Sequence, residues 1–170
     1  MPLKDCRPTS GRVLLALFSI LGEKVKGCQF LDLFAGTGHV GLEALKRGAE
    51  RSVFVESVKP RAGAIREKAG DSLVLSLEVR RAVSWLVKRE MKFDIIFADP
   101  PYNSGWCDSL TSFQNLNALF ADDAVMIVEH SARERFTINN NNNPNNLEII
   151  LTREYGETCL TFLKVNYPRL

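Results

Sequence analysis

A glycine-rich segment directly after the first strongly apolar run restricts the fold of this chain more than any other feature. Residues 30–34 (Phe-Leu-Asp-Leu-Phe) predict a buried strand, and three glycines fall within residues 36–41. Residues 40–46 then predict a helix, and residues 52–56 predict a second strand that ends in an acidic residue. This order of elements, a strand, a glycine loop, a helix and a second strand, predicts a βαβ unit. Such a unit binds a nucleotide-type ligand at the loop.

The alternation of strands and helices continues along the chain. An N-terminal helix is predicted because Leu14, Leu17, Phe18 and Leu21 share one helical face. The later predicted elements, in chain order, are a helix over 60–69, a strand over 77–80, a helix over 83–89, a strand over 93–98, a helix over 108–119, a strand over 124–129 and a hairpin of strands 147–153 and 158–165. The fold class is therefore predicted to be α/β, with helices on both faces of a mostly parallel sheet and an antiparallel hairpin at its C-terminal end.

Length and composition favour one domain over residues 1–170, in which residues 1–22 form an N-terminal segment with its helix. Hydrophobic residues make up 45% of the chain, which suffices for a single core. Residues 139–146, seven asparagines and one proline, are predicted to form a solvated loop with no assigned function. The net charge is only +2 and the basic residues are spread along the sequence, so charge permits nucleic-acid binding without indicating it.

Cysteine and histidine are not spaced as metal ligands. The four cysteines form no CxxC pair, and His39 and His130 lie at no ligand spacing from them, so no metal site is predicted. The apolar run 13–21 loosely resembles a signal peptide, but Glu23 and Lys24 stand where cleavage would need small residues. No run is long enough to span a bilayer, and we expect a reduced, cytoplasmic protein with no membrane partner.

Asp32, at the start of the glycine loop, separates two interpretations of the cofactor. The glycine spacing, with Glu56 about twenty residues later, also fits a dinucleotide such as NAD. A carboxylate at the loop, however, attracts a cationic, amine-bearing ligand and repels a pyrophosphate. The sequence therefore favours S-adenosylmethionine, with Glu56 accepting hydrogen bonds from its ribose hydroxyls.

Asp99-Pro100-Pro101-Tyr102 directly follows the predicted strand 93–98 and is the predicted catalytic segment. Ligands bind beyond the carboxyl ends of strands in such sheets, so this segment and the glycine loop are expected to face one crevice. The carboxylate of Asp99 and the carbonyl of Pro100 can each accept a hydrogen of an exocyclic aromatic amine, which turns the nitrogen lone pair toward a methyl donor. Pro101 fixes its own φ, and Tyr102 offers a ring on which a flipped-out base can stack. The segment alone would serve adenine as well as guanine.

Together these motifs resemble the RsmD family of bacterial methyltransferases, which modify the 2-amino group of one guanine in small-subunit (16S) ribosomal RNA. The glycine loop and the Asp99–Tyr102 segment are generic to amino-methyltransferases. More specific are the segments Arg7-Pro8-Thr9-Ser10 and Tyr155-Gly156-Glu157-Thr158. The other matching segments are 12–13, 17–18, 31–38, 41–44, 54–56, 93–97 and 128–130.

The resemblance implies a Rossmann-like class I methyltransferase fold, with a seven-stranded sheet in the order 3-2-1-4-5-7-6. It implies S-adenosylmethionine as cofactor, S-adenosylhomocysteine as product, and a target amine held by Asp99, Pro100, Pro101 and Tyr102. The implied cofactor contacts are Asp32, Phe34, Ala35, Gly36, Thr37, Gly38, Glu56, Asp99 and a turn at residues 81–83 that includes Ala82 and Val83. The expected substrate contacts are Arg7, Thr9 and Arg12 from the N-terminal segment, Tyr102 and Trp106 near the catalytic segment, and His130, which ends the fifth strand together with Glu129.

The resemblance also implies ribosomal RNA as the partner, within the small ribosomal subunit or its assembly intermediate, and a monomeric enzyme. This chain departs from the family pattern at its N-terminus. Family members usually carry a basic strand pair before the position of Arg7, and this chain begins six residues before it. They also have Asp at the position of Gly11 and Arg-Glu at the positions of Leu14 and Leu15.

Three alternatives stay open at this point. One is an adenine 6-amino methyltransferase acting on DNA or RNA, and the segments 7–10 and 155–158 argue against it. The second is an NAD-dependent oxidoreductase, in which the Asp99–Tyr102 segment would have no task. The third is a non-catalytic cofactor-binding module, against which the intact Asp99–Tyr102 segment also argues.

Overall fold

The structure is a computed structural model, and it describes residues 9–102, 104–134, 136–138 and 143–166. Its helices are α1 Gly11–Leu21, α2 His39–Lys46, α3 Lys59–Lys68, α4 Val79–Val87 and α5 Trp106–Thr111, with short 3₁₀ turns at Gly22–Val25 and Leu116–Leu119. Its strands are β1 Gln29–Asp32, β2 Arg51–Val55, β3 Val74–Leu75, β4 Phe93–Ala98, β5 Phe120–Ser131, β6 Leu147–Tyr155 and β7 Thr158–Val165. None of the helices within these ranges combines the length and the apolar character that crossing a membrane requires.

The strands form one seven-stranded sheet in the order β3-β2-β1-β4-β5-β7-β6. The first five of these run parallel, and β7 pairs antiparallel with both β5 and β6. The predicted fold class and strand order are therefore confirmed, including the C-terminal hairpin. The order reverses between β1 and β4, so the loops after these two strands open onto the same crevice.

Apolar side chains cover both faces of the sheet. The four residues predicted to share one face of α1 are all buried, and they pack with α2 against one face. The hydroxyl of Ser10 begins α1 because it accepts a hydrogen bond from the Val13 N–H at 3.3 Å. Helices α4 and α5 and the turn Leu116–Leu119 cover the opposite face.

The strand predicted over residues 77–80 is wrong. The third strand is the shorter β3, Val74–Leu75, and α4 already begins at Val79. The side chain of Glu78 accepts the Arg80 N–H at 3.1 Å and so starts the helix. An apolar stripe with helical spacing then continues it, which outweighs the strand propensity of this short run; its buried residues are Val79, Ala82, Val83 and Leu86.

The helix predicted over residues 108–119 is split in two. It begins earlier, at Trp106, ends at Thr111, and is followed by the 3₁₀ turn Leu116–Leu119. Asn115 has a φ of +64°, in the left-handed region, so a continuous helix cannot pass through it. The irregular segment between the two pieces leaves backbone groups that need partners from elsewhere in the chain.

The end of the asparagine-rich tract supplies some of these partners. The side chain of Asn145 is fully buried, and its amide donates to the carbonyls of Thr111 and Phe113 at 3.0 and 2.6 Å. Its oxygen accepts the Asn117 N–H at 3.1 Å. The prediction of a purely solvated loop is therefore wrong for Asn145, because one carboxamide can satisfy donors and acceptors at once. Residues 139–142 of the same tract lie outside the described residues.

Candidate active site

A cavity of about 640 Å³ opens at the carboxyl ends of β1, β2 and β4. This volume is within the usual range of small-molecule sites, about 300–1,000 Å³. The walls come from the glycine loop, the loop after β2, the start of α4, the catalytic segment after β4 and one residue before α1. The residues that line the cavity include Thr9, Asp32, Phe34, Ala35, Gly36, Thr37, Glu56, Glu78, Val79, Asp99, Pro100, Pro101, Tyr102 and Trp106.

The glycine loop requires its glycines for two different physical reasons. Gly36 and Gly38 have φ values of +55° and +77°, which residues with a Cβ rarely adopt. A Cβ on Gly41 would lie 2.3 Å from the Phe54 ring, so this glycine lets α2 approach β2. The loop is anchored to the sheet because the Ala35 N–H donates to the Val55 carbonyl at 2.9 Å. The backbone of the loop therefore stands close to the cavity.

Glu56 links the glycine loop to the loop after β2. Its Oε2 accepts the Gly36 N–H at 2.9 Å, and its Oε1 accepts the Val58 N–H at 2.7 Å. Hydrogen bonds to a carboxylate are stronger than those between neutral groups, so both loops are held firmly. The sequence pattern predicts only a ribose contact for Glu56 and does not indicate this structural role.

Asp32 is buried at the end of β1, with 1% of its surface exposed. Its Oδ2 accepts the Gly41 N–H at 3.1 Å, whereas its Oδ1 has no hydrogen bond of normal geometry to any described residue. Burial is the largest cause that raises the pKa of Asp32, to about 7. The hydrogen bond from the Gly41 N–H lowers this pKa, the nearby charge of Glu56 raises it, and the Phe34 N–H lowers it slightly. A buried carboxylate oxygen without a partner is costly, and its position in the cavity wall marks it as a point where a donor from a ligand would bind.

Asp99 is the first residue of the predicted catalytic segment and lines the same cavity as the glycine loop. Burial raises the pKa of Asp99 to about 9, and the neighbouring Glu129 and Asp32 carboxylates raise it further in that order. Pro100 is buried behind it, and the carbonyl of Pro101 accepts a hydrogen bond from the Ser104 hydroxyl. A carboxyl group that binds its proton this tightly is also a strong proton acceptor once it is ionised.

Glu129, on β5, stands behind the catalytic segment with 3% of its surface exposed. Its Oε2 accepts the Thr9 hydroxyl at 2.9 Å, and its Oε1 is 3.5 Å from the Tyr102 hydroxyl, a long contact. The Tyr102 hydroxyl also lies 3.2 Å from Oγ1 of Thr158. Burial raises the pKa of Glu129, while the hydrogen bonds from Thr9 and Tyr102 lower it. Glu129 therefore joins the N-terminal segment to the catalytic segment.

His130 points the other way, because successive side chains of a strand face opposite sides of the sheet. It is buried, with Nε2 2.9 Å from the Thr161 Oγ1 and Nδ1 3.0 Å from the Ser131 carbonyl oxygen. Its ring lies beside that of Phe136, with 5.4 Å between centroids. Neither His130 nor Glu129 is part of the cavity wall, but Glu129 contacts the side chains of Thr9 and Tyr102, which are.

Trp106 forms an aromatic wall of the cavity with Phe34. Their rings meet edge to face, with centroids 5.1 Å apart. On its other side Trp106 contacts the Phe113 ring at 5.9 Å. The guanidinium of Arg80 lies over both Trp106 and Phe113, at 5.8 and 4.6 Å from the ring centroids. The structure thus brings Trp106 to the cavity, as the sequence suggested.

The turn predicted at residues 81–83 does not exist. Ala82 and Val83 lie inside α4 and are buried in the core, with exposures of 0% and 2%. The error follows from the misplaced third strand. Glu78 and Val79, at the true junction between β3 and α4, line the cavity in their place. The signal that could have found them is the acidic helix-start residue Glu78, two positions before Arg80.

The substrate contacts predicted in the N-terminal segment have different positions in the structure. Thr9 lines the cavity and contacts Glu129, whereas Arg12 is exposed on α1 and outside the cavity wall. Arg7 lies outside the described residues. The exposed His39, at the start of α2, borders the cavity.

Proteins of known sequence and structure resemble this chain. The model of the family described as Conserved hypothetical protein 95 matches residues 1–164. Ribosomal RNA small subunit methyltransferase D of Escherichia coli K12 is 33% identical over 137 residues, covering 76% of this chain and 68% of that protein.

Two solved structures extend the comparison. A hypothetical protein of Thermus thermophilus superimposes with a TM-score of 0.74 at 26% identity, covering 95% of this chain and 90% of that one. A proposed methyltransferase complexed with SAH superimposes with a TM-score of 0.69 over 91% of this chain and 49% of that one. Its identity is only 13%, so this likeness concerns the fold. The family match over nearly the whole chain leads to one conclusion: this chain belongs to the Conserved hypothetical protein 95 family, the family of ribosomal RNA small subunit methyltransferase D.

Proposed function

We propose that this chain transfers a methyl group from S-adenosylmethionine to the exocyclic 2-amino group of a guanine in small-subunit ribosomal RNA. The observation that carries the proposal is the single cavity shared by Asp32, the glycine loop and the Asp99–Tyr102 segment. A methyl donor held by the first two would meet an amine held by the third. Holding both reactants in one geometry removes much of the entropic barrier of a two-molecule reaction.

The residues present fit S-adenosylmethionine, which when bound supplies an electrophilic methyl group on a positively charged sulfur. The partnerless Oδ1 of Asp32 is placed to accept a hydrogen bond from the ammonium group of the ligand. Burial is the largest cause of the raised pKa values of Asp32, Asp99 and Glu129, and none of these shifts is offset by a positive charge. A cationic ligand would provide it and favour their ionised forms.

The other end of the cavity suits the nucleoside part. Glu56 keeps lone pairs on two oxygens that already accept N–H donors, and it borders the cavity where ribose hydroxyls would lie. We assign the purine contact to Glu78 and Val79, which line the cavity, instead of Ala82 and Val83. The edge of Trp106 and the ring of Phe34 offer apolar surface to a purine or to the target base.

Asp99 carries the chemistry on the acceptor side. Its carboxylate accepts one amine hydrogen and the Pro100 carbonyl accepts the other, so the nitrogen lone pair is directed at the methyl group. As the new carbon–nitrogen bond forms, the carbon–sulfur bond breaks and the nitrogen becomes positively charged. The nitrogen then loses one proton to Asp99, whose high pKa suits it to accept that proton. The proton subsequently leaves to water.

Tyr102 and Glu129 position the acceptor. The Tyr102 ring would stack on the flipped-out guanine, while its hydroxyl is held near Glu129 and Thr158. Glu129 also holds Thr9, so the N-terminal segment and the base-binding ring are fixed by the same carboxylate. The choice of guanine and of small-subunit RNA is supported by the relationship to ribosomal RNA small subunit methyltransferase D.

One experiment tests the proposal. S-adenosylmethionine with a labelled methyl group is supplied with small ribosomal subunits, free small-subunit RNA, large-subunit RNA and DNA, and the modified base is mapped. We expect label on the 2-amino group of one small-subunit guanine. Label found only on adenine, or only on DNA, would overturn the guanine assignment, and an absence of transfer to any of the four would overturn the proposed activity.

A further inference from the structure

We propose that the outward side of α4 binds the phosphate backbone of the RNA beside the target nucleotide; this inference rests on the proposed function and names how its substrate is held. The surface consists of Arg80, Arg81, Lys88 and Arg89, here called the α4 basic face. All four residues are exposed.

The α4 basic face carries four positive charges within eleven residues, flanked by Glu78 and Glu90. Four of the 22 basic residues and none of the 20 acidic ones fall within residues 79–89. The rest of the chain therefore has 18 basic residues against 20 acidic ones, a net charge of −2, although the whole chain carries +2. These four charges lie in one short stretch, although the basic residues as a whole are spread along the sequence.

The geometry of α4 places these side chains together. The side facing the core carries only apolar residues, Val79, Ala82, Val83 and Leu86. Successive residues turn by about 100°, so Arg81 and Lys88 lie at the middle of the outward side, with Arg80 and Arg89 at its margins. Aromatic rings hold the two marginal guanidinium groups, Phe113 under Arg80 at 4.6 Å and Trp85 under Arg89 at 3.5 Å.

The charge of this face is not neutralised by the protein. Within the described ranges, the ion pairs join Glu23 to Lys26, Glu43 to Arg47 and Glu157 to Arg133, and none includes a residue of the α4 basic face. A group of like charges without counter-ions creates a local positive potential that attracts a polyanion. Guanidinium groups in particular bind phosphate oxygens through two hydrogen bonds.

The location of the face connects it to the cavity. α4 begins at Val79 in the cavity wall, and Arg80 lies 5.8 Å from the ring centroid of Trp106, which is also in that wall. The helix rises about 10 Å from Arg80 to its end at Val87, at about 1.5 Å per residue, and Lys88 and Arg89 follow directly. An RNA strand with one base flipped into the cavity would therefore run its neighbouring phosphates along this face.

The test removes the two central charges without touching a packing contact. The double variant Arg81→Gln/Lys88→Gln keeps good helix formers, and neither side chain makes a hydrogen bond or ion pair with a described residue. The matched control is Lys46→Gln/Arg51→Gln, which removes one Lys and one Arg that are exposed at α2 and β2, away from α4. Binding of protein-free small-subunit RNA is measured by anisotropy over a range of salt concentrations.

We expect the double variant to reduce the slope of log affinity against log salt by about 1.4, roughly 0.7 for each lost contact to single-stranded RNA. KM for RNA should rise while kcat and the affinity for S-adenosylhomocysteine stay at the wild-type values, and the control should keep the wild-type slope. An unchanged slope in Arg81→Gln/Lys88→Gln would overturn the inference. A defect seen only with assembled subunits would also overturn it, in favour of an acidic protein partner. These outcomes are independent of the proposed function, which fails if the wild-type protein binds RNA but methylates no base.

Discussion

The two halves of the cavity hold their carboxylates in opposite ways. Beside β2, both oxygens of Glu56 accept backbone N–H groups at 2.9 and 2.7 Å. Beside β1 and β4, Asp32 has a partnerless oxygen, and burial raises the pKa values of Asp32 and Asp99 to about 7 and about 9. The first half is complete in the protein alone, whereas the second needs positive charge from a ligand. In the proposed function, this difference separates residues that build the site from residues that recognise a cation and perform the transfer.

The largest expected effect is at Asp99. Asp99→Asn keeps the size of the side chain but removes the proton acceptor and one of its two equivalent oxygens. Losing an electrostatic contact made in the transition state costs roughly 10²–10³ in turnover. We expect kcat for methyl transfer to fall by about that factor, measured with labelled S-adenosylmethionine under saturating RNA.

The control for Asp99 is the binding of S-adenosylhomocysteine, measured by calorimetry. Because this ligand lacks both the methyl group and the sulfur charge, we expect its affinity to change little. A variant with wild-type turnover would remove Asp99 from the transfer step, and a variant that no longer binds S-adenosylhomocysteine would show that Asp99 only shapes the cofactor site.

Asp32 should show opposite effects on binding and on stability. In Asp32→Asn the affinity for S-adenosylmethionine should fall by about 10- to 100-fold, because hydrogen bonds to charged groups contribute about 1.5–3 kcal/mol. Asp32 has a folded-state pKa above its unfolded value of 3.8, so its contribution to stability is lost as pH rises from that value through about 7. At pH 8 the ligand-free variant should therefore unfold at a temperature no lower than the wild-type protein. A clear loss of stability at pH 8 would mean that Asp32 is a structural residue like Glu56.

Glu56 should show the reverse pattern. Glu56→Gln leaves one acceptor oxygen for two N–H donors, of which that of Gly36 is buried, and an unsatisfied buried donor costs about 1–3 kcal/mol. We expect a lower unfolding temperature at every pH, and an affinity reduced by about the same factor, roughly tenfold, for S-adenosylmethionine and S-adenosylhomocysteine. A loss confined to the charged ligand would contradict the division of the cavity into two halves.

The smallest effect is expected at Tyr102. Tyr102→Phe keeps the ring for stacking and removes the hydroxyl that lies near Glu129 and Thr158. A typical neutral hydrogen bond contributes about 1 kcal/mol, so kcat should fall by roughly fivefold. Tyr102→Ala, which also removes the ring, should be clearly worse, since stacking a base on an aromatic ring contributes about 1–3 kcal/mol. Equal activity of the two variants would argue against stacking.

The parts of the site that follow from local sequence patterns were predicted well. The Asp32–Gly38 loop and the Asp99–Tyr102 segment each lie directly after a strongly apolar strand, so their position at the sheet edge follows from the strand pattern alone. The short β3 has only two residues, too few for a periodic signal, so the sequence predicts the cofactor turn at residues 81–83, which lie inside α4. A weak local signal thus produced an error several residues away.

Other features depend on contacts between distant parts of the chain. Glu129 meets Thr9 across 120 positions of sequence, and nothing near either residue indicates this contact. The sequence around Asn145 predicts a solvated loop. Its burial follows from the helix break at Asn115, which leaves backbone groups that the Asn145 side chain hydrogen-bonds. The choice between Glu129 and His130 is made by which side of β5 faces the catalytic segment, and that register is set by pairing with β7.

The most direct test of the comparison between the two halves is the number of protons released when ligands bind. A bound cation lowers the pKa values of Asp32 and Asp99 from about 7 and about 9. Protons therefore leave the protein, and affinity rises with pH, between each lowered pKa and its ligand-free value. Calorimetry at pH 8 in buffers of different ionisation enthalpy measures this number. We predict release of roughly one proton with S-adenosylmethionine and clearly less with S-adenosylhomocysteine, which lacks the sulfonium charge, together with a reduced release in Asp99→Asn. Equal proton release for the two ligands, or none for either, would contradict the claim that this half of the cavity is built for a cation.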